Sequence, residues 1–562
     1  MGKQIAIGLS FANLCYLRVW AELLSYTPAQ TYEMRLPPQP HDYVAVSLNV
    51  ALWGAVFGLL AAKLGLASPA TPRPAQQHLP AREQRTAQAR QAARVGQAAL
   101  VGQAARVRQA AQWLFLLSLL VPLNALRAVL ASGLPFGQQY LKGGLYSALG
   151  PVGFTVFATA AAAGGLFALQ RRREQITRIA CFALLVFAPF VPLTIAQAAW
   201  KACRYDARAF DDRPTAPRLQ ATTQPLRRVV WVIFDEWDQR LCFDDRPEHL
   251  ALPEIDRFRG VSFAATNAYP PGPTTLESMP ALITGRVVAK AEPRGPAELR
   301  LTLRGGPTPL DWRQAPNVFD AARELGFDTA LVGVYHPYCR VLANSLTSCW
   351  WTDMPRPINS NGETLGEAMR GQTRSLFETW RLSAFGQSLS TARKAREFPR
   401  ALERAAAAAA DPAYGLVLAH LLTPHFPHAW DRRTETFTLG NAPLRGYYDS
   451  LALTDRALGR LRRAMEAAGV WDSTTVLLSS DHAMKHAMLL DGKADQRVPF
   501  LLKFAGQSDG MAYEPAFNTV LTRDLLLDIL RGKIANAREA SQWLDGRQRL
   551  DGRAKPPAWS GD

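Results

Sequence analysis

Long apolar stretches crowd the first 200 positions, whereas from Lys201 onward the apolar runs are short and separated by Pro, Gly and charge. Crossing a bilayer takes roughly 20 apolar residues. On that measure five spans are expected: Ile5 to Leu24, Tyr43 to Leu66, Trp113 to Ala131, Tyr146 to Leu169 and Ile179 to Trp200. Arg18 and Glu22 interrupt the first, one helical turn apart and near one end, where they can pair or snorkel. In the second half, RRVVWVIFD, DTALVGVY, YGLVLAHLL, TTVLLSSD and RVPFLLKF have the length and the β-branched and aromatic content of buried strands. PNVFDAARELGF and LRGYYDSLALTDRALGRLRRAMEAAG have helical period and end at Gly326 and Gly469. Strands alternating with helices imply an α/β sandwich around a largely parallel sheet, a fold whose ligands gather at the carboxyl ends of its strands.

The expected organisation is a transmembrane domain over 1–200, a linker over 201–226, a catalytic domain over 227–533 and a C-terminal tail over 534–562. An Arg/Gln/Ala-rich loop over 67–112 interrupts the first domain. Arg73, Arg82, Arg85, Arg90, Arg94, Arg106 and Arg108 stand there against one acid, Glu83, and Arg171, Arg172, Arg173 and Arg178 separate the fourth and fifth spans. Both loops should face the cytoplasm. The loops after the first and third spans have only Arg35 and Lys142 as bases beyond the membrane edge. Five crossings therefore put the N-terminus in the cytoplasm and everything after Trp200 outside, the topology of a bacterial-type inner-membrane protein with a periplasmic domain.

The net charge of +17 is absorbed by this topology, and no nucleic-acid partner is expected. From Gln91 the loop repeats QAARVG, QAALVG, QAARVR and QAAQ, which fits either a helix at the membrane surface or low-complexity filler. Of six cysteines, Cys15 and Cys181 fall within spans, and Cys203, Cys242, Cys339 and Cys349 fall in the part assigned to an oxidising compartment. Cys339 and Cys349 bracket a short polar loop and are candidates for a disulfide.

Three polar clusters carry the candidate chemistry. Asp235 and Glu236 end the first strand, and Asp481 with His482 ends the fourth. Acids at strand ends often only cap turns, but carboxylates converging at one point repel unless a cation is present. Oxygen ligands plus one imidazole suit a divalent metal, zinc or manganese rather than calcium. Thr275, in TLESMPALITGR after the turn-rich NAYPPGPT, is a candidate nucleophile and metal neighbour, since a threonine hydroxyl is weakly nucleophilic without such help. A bland alternative is a helix N-cap, which Thr274 suits, and a helix start also presents N–H groups to an anion. His420, His425 and His428 cluster in AHLLTPHFPHAW; His425, between two prolines, is the expected contact of a transferred anionic group, and His420 reads as structural. Lys493 is the expected positive charge for the same group, with Lys485, His486 and Arg497 as rivals.

These segments resemble the sulfatase-like branch of the alkaline phosphatase superfamily over roughly Arg227 to Lys533. Around the nucleophile that family has C-x-P-S-R followed by L-x-T-G-R, and here Ser278, Leu282, Thr284, Gly285 and Arg286 stand at matching offsets with Thr275 on the nucleophile. VIFDEWD and SSDHAMK resemble its two metal strands. Classical sulfatases need a cysteine or serine oxidised to formylglycine and an arginine four residues later, whereas this chain has Thr275 and Met279. The T-x-x-S-x-P setting of Thr275, Ser278 and Pro280 instead looks like the phosphoethanolamine transferases and, less closely, the lipoteichoic-acid synthases. Against that, Asp235-Glu236 is more sulfatase-like, and Pro271 and Ala281 replace the cysteines that flank the transferase nucleophile. The resemblance implies a membrane-anchored, metal-dependent enzyme that transfers a phospho-group through a phosphothreonine, acting on a membrane lipid or envelope glycan. Two alternatives stay open: a phosphoesterase or sulfuric-ester hydrolase, and a non-catalytic envelope scaffold.

Overall fold

The computed structural model describes residues 2–63, 109–133, 138–219, 227–353, 364–378, 385–438 and 444–554, apart from positions 26, 36, 307 and 551, together with 103, 106 and 107. The repeats from Gln91 and nearly all of the arginine-rich loop lie outside the described residues. Two compact units emerge. One comprises Met1–Tyr26, Pro38–Tyr205 and Ile358–Arg381, and the other Thr27–Pro37, Asp206–Pro357 and Leu382–Asp562.

Among the described residues of the first unit, three helices are long and apolar enough to cross a membrane: Pro40–Lys63, Gln109–Arg127 and Thr155–Cys203. Gly2–Cys15 and Leu17–Leu24, bent by 60°, make a fourth if they form one span. Five separate spans are not confirmed, because the fifth expected span and most of the fourth fall within the single run Thr155–Cys203. At 1.5 Å per residue, 49 residues exceed the roughly 30 Å hydrocarbon core, and Arg172 (φ −118°, ψ 18°) breaks the helical backbone between the two expected spans. Arg18 and Glu22 do pair, at 3.6 Å. The helices Gly2–Cys15 and Pro40–Lys63 touch backbone to backbone: a Cβ on Gly8 would lie 2.2 Å from the Gly54 carbonyl oxygen. The helix Leu365–Glu378 joins this unit through polar contacts, Gln372 Nε2 donating to Asp42 O at 3.0 Å and Asn49 Nδ2 to Gln372 Oε1 at 3.2 Å.

The second unit is built on a nine-stranded sheet. Its strands are β1 (Arg228–Phe234), β2 (Phe263–Tyr269), β3 (Asp328–Val334), β4 (Ser348–Thr352), β5 (Tyr414–Leu421), β6 (Thr474–Ser479), β7 (Val498–Lys503), β8 (Met511–Tyr513) and β9 (Phe517–Asn518). The order is β8-β2-β7-β6-β1-β5-β3-β4, with β9 also on β2. All pairings are parallel except those of β7, which runs antiparallel to β6 and β2. β1 shows why the centre must be buried on both faces. Val229, Trp231 and Ile233 enter one core with the helices Thr275–Thr284, Val318–Glu324 and Thr522–Leu530. Val230, Val232 and Phe234 enter the other with Pro253–Gly260, Phe385–Ala410 and Tyr447–Ala467. The expected tail contains a helix, Ala537–Leu550, whose Ala540 and Leu544 are buried in the first core. Cys339 and Cys349 form a disulfide with Cα atoms 5.5 Å apart.

Candidate active site

The register of the three central strands decides which side chains meet. Asp235 follows β1, His420 is the penultimate residue of β5, and Asp481 and His482 follow β6. Ile233 pairs with Ser479 on one side and with His420 on the other, so these side chains emerge together at the carboxyl edge of the sheet. Ligand atoms of Asp235, Asp481 and His482 lie within 4.8 Å of one another, and all three residues are buried. The helix Thr275–Thr284 brings in Thr275, whose Oγ1 is 3.2 Å from His482 Nε2. Gly272 permits this approach: a Cβ there would sit 2.9 Å from Ser278 Oγ, which donates to Gly272 O at 2.7 Å. Thr274 occupies the N-cap position, but its hydroxyl donates to Glu277 instead of capping the backbone. Thr275 is therefore the first helical residue, at the end where N–H groups lack intrahelical partners.

His482 Nδ1 is 2.9 Å from the Ala483 carbonyl, which can only accept, so Nδ1 donates there and the ring nitrogen turned toward the cluster is Nε2. That nitrogen lies 3.5 Å from Asp481 Oδ2 and 3.8 Å from Asp235 Oδ1. Both Asp235 carboxylate oxygens, Asp481 Oδ2 and His420 Nε2 are buried without a hydrogen-bond partner among the described residues. Burial, with Asp481 and Glu236 alongside, pushes the Asp235 carboxyl well above the ordinary carboxylate range. Lone pairs converging in a dry space are costly in the protein alone and fit a bound divalent cation.

Glu236 sits apart from this close group. Its backbone is left-handed (φ 63°), a conformation costly for a non-glycine residue, and Tyr447 holds it by donating to Glu236 O at 2.8 Å while accepting from Asp238 N at 3.1 Å. Its Oε1 is 3.9 Å from His425 Nε2. Burial opposes ionisation of Glu236, yet His425 and His482 hold its carboxyl below its usual value. His425 is tied to β1 by its N–H to Asp235 O at 3.0 Å, and its own carbonyl accepts from the buried Lys394 amino group. His428 Nδ1 is hydrogen-bonded to Ser450 Oγ at 3.2 Å.

Lys493 stands differently from the expectation. Its Nζ, on a side chain 63% exposed, donates to Asp245 Oδ2 at 2.9 Å, so its charge is spent on a surface carboxylate. Arg497 is likewise taken up by Asp495 and Asp244. The cations whose charge reaches Asp235 and Glu236 are Lys485 and Lys394; burial pushes the Lys394 amino group down to about 7. The sequence candidates did not include Lys394, and they gave His420 only a structural reading. The His420 Nδ1 is 2.9 Å from Tyr338 OH, and its Nε2 is 3.8 Å from Asp235 Oδ2. Only the adjacency of β1 and β5 would have revealed it.

A family model described as Sulfatase matches residues 227–521. An ulvan-active sulfatase of Formosa agariphila is 30% identical over 152 residues, which make up 22% of this chain and 30% of that protein. The chain thus spans less than a third of the length of this curated relative. Solved structures similar to the chain include the phosphonate monoester hydrolase of Agrobacterium radiobacter, 17% identical over 54% of this chain and 74% of that one, with a TM-score of 0.34. Another is an alkaline phosphatase superfamily protein from Vibrio parahaemolyticus, 13% identical over 56% of this chain and 69% of that one, with a TM-score of 0.35.

Proposed function

Because the chain belongs to the sulfatase family, whose members are hydrolases, we propose that its chemistry is attack by Thr275 on an anionic ester, with transfer of a phospho-group such as phosphoethanolamine from a membrane lipid. The observation that carries this reading is the placement of the Thr275 hydroxyl 3.2 Å from His482 Nε2, beside two buried carboxylates. Met279 stands where a formylglycine sulfatase has its arginine, which weighs against sulfate release by that route.

Asp235, Asp481 and His482 would hold the metal, zinc or manganese by their mixed oxygen and nitrogen donors, and the ion when bound supplies Lewis acidity. Thr275 Oγ1 forms a bond to phosphorus as the bond to the lipid glycerol oxygen breaks, and the threonine proton ends on that leaving oxygen. The acceptor hydroxyl then bonds to phosphorus, the Thr275 ester breaks, and the acceptor proton returns to Thr275. N–H groups at the start of the helix Thr275–Thr284 face the anionic group. His425, beside Glu236, contacts the transferred group, and Lys485 takes the role first expected of Lys493. The apolar helices anchor the enzyme in a bacterial inner membrane, with the catalytic unit on the periplasmic side.

Incubation of the purified protein with phosphatidylethanolamine should yield diacylglycerol without free phosphoethanolamine. Release of free phosphoethanolamine instead supports the second reading, a phosphoesterase or sulfatase-like hydrolase of an envelope ester, which family membership favours. An absence of diacylglycerol rules out this lipid donor.

A further inference from the structure

We propose that Tyr32, from the segment Thr27–Pro37, is a positioning residue that acts through His336 on the backbone of Thr275. The inference rests on Thr275 being the nucleophile. Tyr32 lies on the short helix Pro28–Glu33, whose start is fixed by reciprocal bonds between Thr27 and Gln30, and it is fully buried in the core of the second unit. Its hydroxyl is 2.8 Å from His336 Nδ1, and His336 Nε2 is 2.9 Å from the Thr275 carbonyl oxygen.

The direction of both bonds follows from chemistry. The Thr275 carbonyl only accepts, so Nε2 carries a proton. Burial pushes His336 down to about 3, so the ring is neutral and Nδ1 accepts. Tyr32 therefore donates, and burial, which raises its own ionisation well above the ordinary phenol range, keeps that proton in place. The imidazole is clamped edge to face by Trp312, with ring centres 5.0 Å apart, and by Tyr335 at 4.9 Å. The relay fixes the Thr275 peptide plane and with it the aim of Oγ1.

The test uses the full-length protein in detergent, with phosphatidylethanolamine as donor. Tyr32→Phe keeps the ring and removes the donor. Its kcat should fall about ten-fold while KM and Mn2+ affinity stay unchanged, and it should cause no further loss in a His336→Ala background. An unchanged kcat overturns the proposal, as does a parallel loss of Mn2+ affinity and thermal midpoint, the mark of a merely structural residue. If Thr275→Ala retains turnover, the nucleophile reading fails on its own account. The relay is then decided by the 15N signals of His336. They should report a neutral ring protonated at Nε2 at pH 5, with the Nδ1 signal displaced in Tyr32→Phe; an undisplaced signal overturns it.

Discussion

At the scale of the residue, the Thr275 hydroxyl lies beside the His482 imidazole, which in turn faces the buried carboxylates of Asp481 and Asp235, a grouping of carboxylates that is costly in the protein alone. Thr275→Ala should lower kcat by at least about 10³-fold, while Thr275→Ser, which keeps the hydroxyl, should stay within about ten-fold of wild type; steady-state turnover checks both. Asp481→Asn should reduce bound metal, read by elemental analysis, and lower kcat by about 10²-fold. His336 and His428 give a pH signature of their own, since burial pushes each down to about 3 against the opposing pull of Asp481 and Glu236. Their folded pKa lies below the unfolded value near 6.5, so the unfolded chain takes up protons first as pH falls. The stability that these neutral rings contribute is complete above about pH 6.5 and is lost as pH falls toward about 3. Thermal midpoints should drop over the upper part of that window, and less steeply in His428→Gln. Asp235, Asp481, His482 and Thr275 were legible because each closes a strand or opens a helix at a sharp change of pattern. His420 was not, because a histidine inside an apolar strand looks like packing until its neighbour strand is known. Lys493 misled because sequence position does not reveal that Asp245 lies closer.

At the scale of the element, Arg228 shows how the sheet and the helix Phe385–Ala410 are joined. Its buried guanidinium donates to Tyr414 O at 2.9 Å, Ala409 O at 2.6 Å, Asp411 O at 2.9 Å and Thr474 Oγ1 at 3.2 Å. It thus satisfies the carbonyls at a helix end while bridging β5 and β6. Replacing it with Met leaves several buried acceptors unpaired, and Arg228→Met should cost about 3 kcal/mol in denaturant unfolding. The five strands read from the sequence are all present, because long β-branched runs flanked by turns admit few other structures. β2 escaped because FAATNAY is rich in small and polar residues, and β4, β8 and β9 because they are short. The reversed direction of β7 was not legible, since side-chain alternation is the same for either sense of pairing. Hydropathy marked the apolar runs near the N-terminus, and the backbone break at Arg172 falls where the arginine run separates the fourth and fifth expected spans.

At the scale of the whole molecule, the sequence suggested one change from an apolar half to a polar half near residue 200. Each unit is instead built from discontinuous segments: Thr27–Pro37 belongs with the nine-stranded sheet and Ile358–Arg381 with the apolar helices. Hydropathy sees only local composition, so it cannot assign a polar excursion to the unit it packs in. The proposed topology predicts that Cys203, exposed at the end of the helix Phe190–Cys203, reacts with a membrane-impermeant thiol reagent applied outside intact cells; labelling only after permeabilisation contradicts it. The central claim is the covalent role of Thr275, and intact-mass analysis of the full-length protein after brief exposure to phosphatidylethanolamine tests it most directly. The account predicts one phosphoethanolamine adduct, mapped to Thr275 and absent from Thr275→Ala. Steady formation of diacylglycerol by a Thr275→Ala protein, with no adduct on the wild type, would contradict it.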